Sequence, residues 1–101
     1  MPNEIQRRRV KGWRLPPGAI VVSRPTKWGN PFATAAEFEA AVEAVREGRW
    51  PIYWTKHQCL VMKRIVAEAG ELRGHDLACW CKIGSPCHRT VLLRLANEEA
   101  A

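Results

Sequence analysis

Asp76-Leu-Ala-Cys-Trp-Cys-Lys-Ile-Gly-Ser-Pro-Cys-His-Arg89 carries three structural signals in succession. An apolar run leads in, Gly84-Ser-Pro86 bends the chain, and apolar residues then recur at helical spacing at Val91, Leu92 and Leu95. Strand, turn and helix in that order belong to an α/β domain, in which helices cover a small sheet. The same segment concentrates reactive chemistry, because Cys79, Cys81, Cys87, His88 and Arg89 fall within eleven residues. Soft ligands and nucleophiles at this density seldom arise from core packing alone.

Working upstream, Ala19-Ile-Val-Val-Ser23 is a short β-branched run and reads as a buried strand. Thr34 with Glu37 three residues on is a capping box, and the helix it opens carries Phe38, Ala41, Val42 and Val45 on one face until Gly48. Pro51 suits the first turn of a second helix, whose stripe of Trp54, Leu60, Val61 and Ile65 runs to Gly70. Strand two spans Asp76 to Trp80, and a last helix runs from Cys87 or His88 to Asn97, with a frayed end over Asn97-Glu-Glu-Ala-Ala101. A further strand is expected near Val10 to Leu15. The fold expected is a single-domain layered α/β fold: a short, mostly parallel sheet covered by about three helices, with the domain over 15–101 and a basic arm over 1–14.

Composition bounds what such a domain can do. One hundred and one residues make one domain, and 47% apolar with 26% charged residues is ordinary for a globular chain. No apolar run approaches the ~20 residues of a membrane span, so no membrane partner is expected. Met-Pro-Asn-Glu-Ile-Gln-Arg-Arg-Arg9 has neither the apolar stretch nor the cleavage site of a secretory signal, which sets the expectation of a cytoplasmic protein. In that reducing setting, clustered cysteines are expected to be reactive or metal-binding rather than disulfide-bonded.

The net charge is +6, and much of it lies at one end. Arg7, Arg8, Arg9, Lys11 and Arg14 surround Trp13, an arrangement in which cations meet phosphates and the ring stacks on a base. A solvated, flexible solubility arm is the competing reading of the same residues.

The cysteine segment supports two chemistries. Cys79 and Cys81 share one face of a strand, while Cys87 and His88 open a helix. Unpaired N–H groups at a helix start stabilise anions, so Cys87 is expected as a nucleophile or the thiolate edge of an anion pocket, with His88 as base or hydrogen-bond donor, and Arg89 as part of a phosphate cradle with Cys81 nearby. On that reading no cofactor is needed. The alternative sets Cys79, Cys81, Cys87 and His88 around zinc as a Cys₃His site. Cys79 also reads as plain strand core.

Arg24-Pro-Thr-Lys-Trp-Gly-Asn-Pro-Phe32 follows the first strand directly, where α/β domains bind ligands. Arg24 and Lys27 are placed to meet an anion, Trp28 offers a ring, Gly29 permits close backbone approach, and Asn30 offers an amide. Trp28 and Phe32 equally read as core plugs, His57 and His75 as surface residues, and Cys59 as helix core. The expected ligand is phosphate-bearing, a nucleotide or nucleic-acid end, held between this loop and the Cys81/Cys87/His88 turn. The competing class is a non-catalytic module that grips nucleic acid or a host protein.

Lys11-Gly-Trp-Arg-Leu-Pro-Pro-Gly-Ala-Ile20, the Arg24–Phe32 segment, Leu77-Ala-Cys-Trp-Cys-Lys82, Pro86-Cys-His88 and Leu92-Leu-Arg-Leu-Ala-Asn97 together resemble one family. It is the phage and bacterial family catalogued as domain of unknown function 4326, and the likeness spans about residues 9 to 97. The resemblance implies a small intracellular domain, often phage-borne, which would then act in the host cytoplasm. Many relatives carry Gly or Ala after Cys-His where this chain has Arg89. The Cys-His-Arg ending is also similar, locally, to the family catalogued as 488.

Overall fold

The structure, a computed structural model, describes residues 2–98. Three short parallel strands lie in the order β1-β3-β2: β1 is Glu4–Gln6, β2 is Ile20–Val21 and β3 is Leu77–Cys79. Every residue of the central strand β3 is buried, and its apolar Leu-Ala-Cys run is the composition that a strand flanked on both edges requires. Its neighbours align Glu4, Ile5 and Gln6 with Leu77, Ala78 and Cys79, and Ile20 and Val21 with Leu77 and Ala78. The parallel pair joined by a helical crossover is thus present.

Three helices complete the α/β fold: α1 (Ala35–Arg46), α2 (Lys56–Glu68) and α3 (His88–Asn97). Thr34 caps α1 as its spacing predicts, accepting the Glu37 N–H at 3.1 Å. α1 packs against both other helices, and α3 also meets β1 and β3. Phe38 and Val42 of α1, Ile65 of α2 and Leu92 of α3 close the core with Leu77 and Val22. No helix among the described residues is long and apolar enough to cross a membrane.

Three expectations are corrected. The second helix starts at Lys56 rather than Pro51, because Thr55 and Gln58 form a complete capping box that outcompetes a proline start. Pro51 instead accepts a turn bond from the Trp54 N–H at 3.1 Å. The helix therefore faces the core through Met62 and Ile65, while Leu60 is 61% exposed. The third strand is Glu4–Gln6, not Val10–Leu15, where Gly12 turns the chain at φ +85°. Residues 4–6 of the basic arm are consequently part of the sheet. Residue 1 of that arm and residues 99–101 of the predicted frayed end lie outside the described residues.

Candidate functional site

The cysteine centre is assembled from a strand end, a turn and a helix start. Cys79 ends β3, and Cys81, two residues on, returns to the same side. The chain then reverses through Lys82–Pro86, where Gly84 adopts φ +91° and Ser85 Oγ donates to the Lys82 carbonyl at 2.6 Å. That reversal brings Cys87, the N-cap residue of α3, back to its two partners. The three Sγ atoms lie within 4.8 Å of one another, and Cys79 and Cys81 are 4.0 Å apart. All four cysteines of the chain are free thiols.

Metal ligation suits this arrangement. Zn–S bonds of ~2.3 Å in a tetrahedral site separate sulfurs by ~3.8 Å, so the thiols need only small rotations to meet one ion. His88 stands beside them, its Nδ1 3.8 Å from Cys87 Sγ. Its Nε2 lies 2.8 Å from the Val22 carbonyl, which can only accept, so Nε2 carries the proton and a neutral ring keeps its Nδ1 lone pair free. Phe38 holds the ring edge-on at 5.6 Å. A histidine that donates one nitrogen to a backbone carbonyl has the orientation typical of a metal ligand. His88 is nonetheless outside the group of three thiols that converge within 4.8 Å.

Electrostatics in the cluster reverses the expectation for Cys87. Hydrogen bonding from the Cys87 thiol, opposed by burial and assisted by the Cys81 backbone N–H, holds Cys79 well below the ordinary thiol range. Cys87 is pushed upward by the same contact with Cys79, and further by burial. Cys87 is 4% exposed, and although the Arg89 backbone N–H at the helix start draws its value down, contact with Cys79 and burial outweigh that pull.

Arg89 is likewise corrected. It is fully buried, turned away from solvent, and its Nε donates to Glu4 Oε1 at 2.9 Å. Nη1 donates to the carbonyls of Ile5 at 3.0 Å and Cys81 at 3.2 Å, with Cys79 at 3.4 Å, and only Nη2 lacks a partner among the described residues. The side chain staples β1 and the cysteine segment to α3 instead of cradling a ligand. Burial alone would raise the Glu4 carboxyl, but hydrogen bonds from Thr90 and Arg89, with the Arg89 charge, outweigh it and lower the value.

The Arg24–Phe32 segment folds on itself. Arg24 donates from Nε to the Asn30 carbonyl and from Nη2 to the Phe32 carbonyl, both at 2.8 Å. Asn30 is spent on the turn, its Oδ1 accepting from the Phe32 N–H at 2.8 Å and its Nδ2 donating to the Thr34 carbonyl at 3.0 Å. Trp28 and Phe32 are buried plugs, 5% and 7% exposed. Gly29 has no room for a side chain: a Cβ there would sit 2.9 Å from Arg24 Cγ and 3.2 Å from its Cα. Gly29→Ala is therefore expected to destabilise the domain by about 1–2 kcal/mol, read as a lower urea midpoint.

This loop does not meet the cysteine turn across its cleft. It lines a 720 Å³ cleft whose other wall is α2, through His57, Leu60, Val61 and Arg64. The missed residues stand at helical spacing i, i+3, i+4 and i+7, a face visible in the sequence but without a sign of what it would meet. His75, read as a surface residue, does have a partner, its Nδ1 lying 2.8 Å from the Gly18 carbonyl.

The basic arm folds back over the cysteine segment. The Arg7 N–H donates to the Cys79 carbonyl at 2.7 Å, and its Nη1 to Ser23 Oγ at 2.8 Å. Its guanidinium and that of Arg9 stand 4.1 and 4.7 Å from the Trp80 ring centre. Arg8, Lys11 and Arg14 are exposed and Trp13 is half-buried. Trp80, rather than Trp13 within the arm, is the aromatic that these cations engage.

No curated protein and no solved structure matches the chain. The family model described as Domain of unknown function (DUF4326) matches residues 5–98, from β1 through the end of α3 and across both motif segments, and the chain belongs to that family.

Proposed function

We propose that this domain is a non-catalytic binding module, built around a zinc ion and directed at nucleic acid. Cys79, Cys81 and Cys87 would hold the ion, with His88 Nδ1 as the nearest fourth ligand. The convergence of three free sulfurs within 4.8 Å carries the reading. Zinc suits a soft thiolate set in which one thiol is nearly sealed from solvent, whereas a nucleophile must reach a substrate. Cys87 is buried, and Arg89 is buried with its Nε and Nη1 bonded to Glu4 and to backbone carbonyls, which favours structure over turnover at this centre.

The zinc would join the end of β3 to the start of α3 across an exposed turn. Arg7 and Arg9 stand over Trp80 beside that join, Arg8 is exposed between them in the chain, and exposed Lys82 adds a further positive charge. Closely spaced cations on a rigid base suit phosphates of a polynucleotide backbone.

Protein purified without chelator is expected to contain about one zinc per chain, lost in Cys81→Ser. An oligonucleotide should bind with strong salt dependence, and Arg8→Glu should reduce the slope of log K against log salt by about one. A metal content near zero overturns the zinc centre. Binding that ignores both salt and Arg8→Glu overturns the nucleic-acid assignment.

A further inference from the structure

Neither the thiol centre nor the basic arm uses the 720 Å³ cleft between the Arg24–Pro31 loop and α2. Its size falls within the roughly 300–1,000 Å³ of small-molecule sites. Every charged side chain that lines it is cationic: Arg24, Lys27 and Arg64, with His57 beside them. The rest of its wall is divided between apolar surface from Pro25, Pro31, Leu60 and Val61 and polar groups at Thr26 and Asn30.

We infer that this cleft binds a nucleoside phosphate, with the phosphates against the arginines and the base on the apolar wall. Arg24 is already oriented for the task. Two of its nitrogens are fixed to loop carbonyls, while Nη1 makes no hydrogen bond among the described residues, so a ligand meets a guanidinium that has no further freedom to lose. A planar guanidinium offers paired N–H groups to phosphate oxygens. Arg64 faces it across the cleft from an exposed position on α2.

Carboxylates do stand behind the cations. Glu71 meets Lys27 at 2.9 Å, and Glu68 meets Lys27 at 3.8 Å and Arg64 at 3.7 Å. Neither glutamate lines the cleft, and the Lys27 pairs are solvent-exposed, a class of contact readily exchanged for a phosphate, while Glu68 Oε2 beside Arg64 is sealed from solvent and makes no hydrogen bond among the described residues. The apolar wall explains why the ligand carries more than phosphate: exposed Leu60 and the two prolines give a flat base a surface on which to exclude water.

The test titrates ADP, pyrophosphate and adenosine separately into the full chain and follows backbone amide shifts by NMR. ADP is expected to move the amides of Gly29, Asn30 and residues 57–64 saturably, and adenosine is not. Arg64→Glu should weaken ADP at least about tenfold, while Lys63→Glu, the same charge change on a neighbouring residue outside the cleft, leaves it unchanged. Pyrophosphate as tight as ADP upholds the site and assigns recognition to the phosphates alone. No saturable shift up to about 10 mM of ADP or pyrophosphate overturns the inference. So does equal binding of adenosine, equal damage from Lys63→Glu, or a response confined to residues 7–14. The cleft shares no residue with the thiol centre, so zinc content remains an independent readout of the function proposed above.

Discussion

Glu4→Gln is expected to destabilise the domain by about 3 kcal/mol, a large part of the ~5–15 kcal/mol that holds a domain of this size together. The reason is the partner it leaves behind. Arg89 has no exposed surface, its Nη2 already lacks a hydrogen bond among the described residues, and Glu4 is the carboxylate on its Nε at 2.9 Å. Removing that carboxylate strands a buried charge, which costs more than the pair itself contributed. Thr90 Oγ1, which donates to the same Glu4 oxygen at 2.6 Å, exchanges a carboxylate acceptor for a weaker amide oxygen.

The pH dependence follows from the lowered Glu4 value. Its contribution is complete above the ordinary glutamate value of 4.5 and fades as pH falls through the lower folded value, so the wild type loses this stabilisation only in acid. Urea unfolding at neutral pH and again near pH 3 checks both statements, because the gap between wild type and Glu4→Gln should narrow at the lower pH. Arg89→Met in the Glu4→Gln background should cost less than the sum of the single changes, since it removes the stranded charge. A Glu4→Gln variant within about 0.5 kcal/mol of wild type would sink the account of Arg89 as a charge-bearing staple.

The second large effect belongs to the proposed zinc centre. Stripping zinc with a strong chelator is expected to lower the melting temperature by about 10 °C, and added zinc, but not magnesium, should restore it. Cys79 and Cys87 pack in the same core as Phe38, Ile65 and Leu92, but that packing is apolar contact and needs no ion, so far-UV circular dichroism should survive the loss. Residues 80–87 should not: the turn from Lys82 to Pro86 is exposed and closed chiefly by two bonds from Ser85 to the Lys82 carbonyl. Faster amide exchange confined to that segment is the expected signature. Metal-free protein that melts at the zinc-loaded temperature would remove zinc from the account of the fold.

Local signals read well from the sequence. Thr34 and Glu37 mark the start of α1 because a cap needs only residues three apart, and the apolar β-branched run and the Leu-Ala-Cys run mark β2 and β3 for the same reason. The cluster of Cys79, Cys81 and Cys87 was visible because strand alternation and one short turn are enough to bring them together. Where two local signals competed, the reading failed: Pro51 suits a helix start, but Thr55 with Gln58 satisfies more backbone donors, and the helix begins there.

The sequence by itself determined the kinds of element, their order and the presence of a sulfur-rich turn, since each depends on spacings of a few residues. Only the tertiary structure decided what those elements face. Arg89 looks like a solvent cation until Glu4, 85 positions earlier, joins the sheet beside it. The Arg24 loop looks paired with the cysteine turn until α2 packs across it and forms the cleft. Both outcomes rest on which surfaces are buried together, and burial is set by contacts between distant segments that no local pattern encodes.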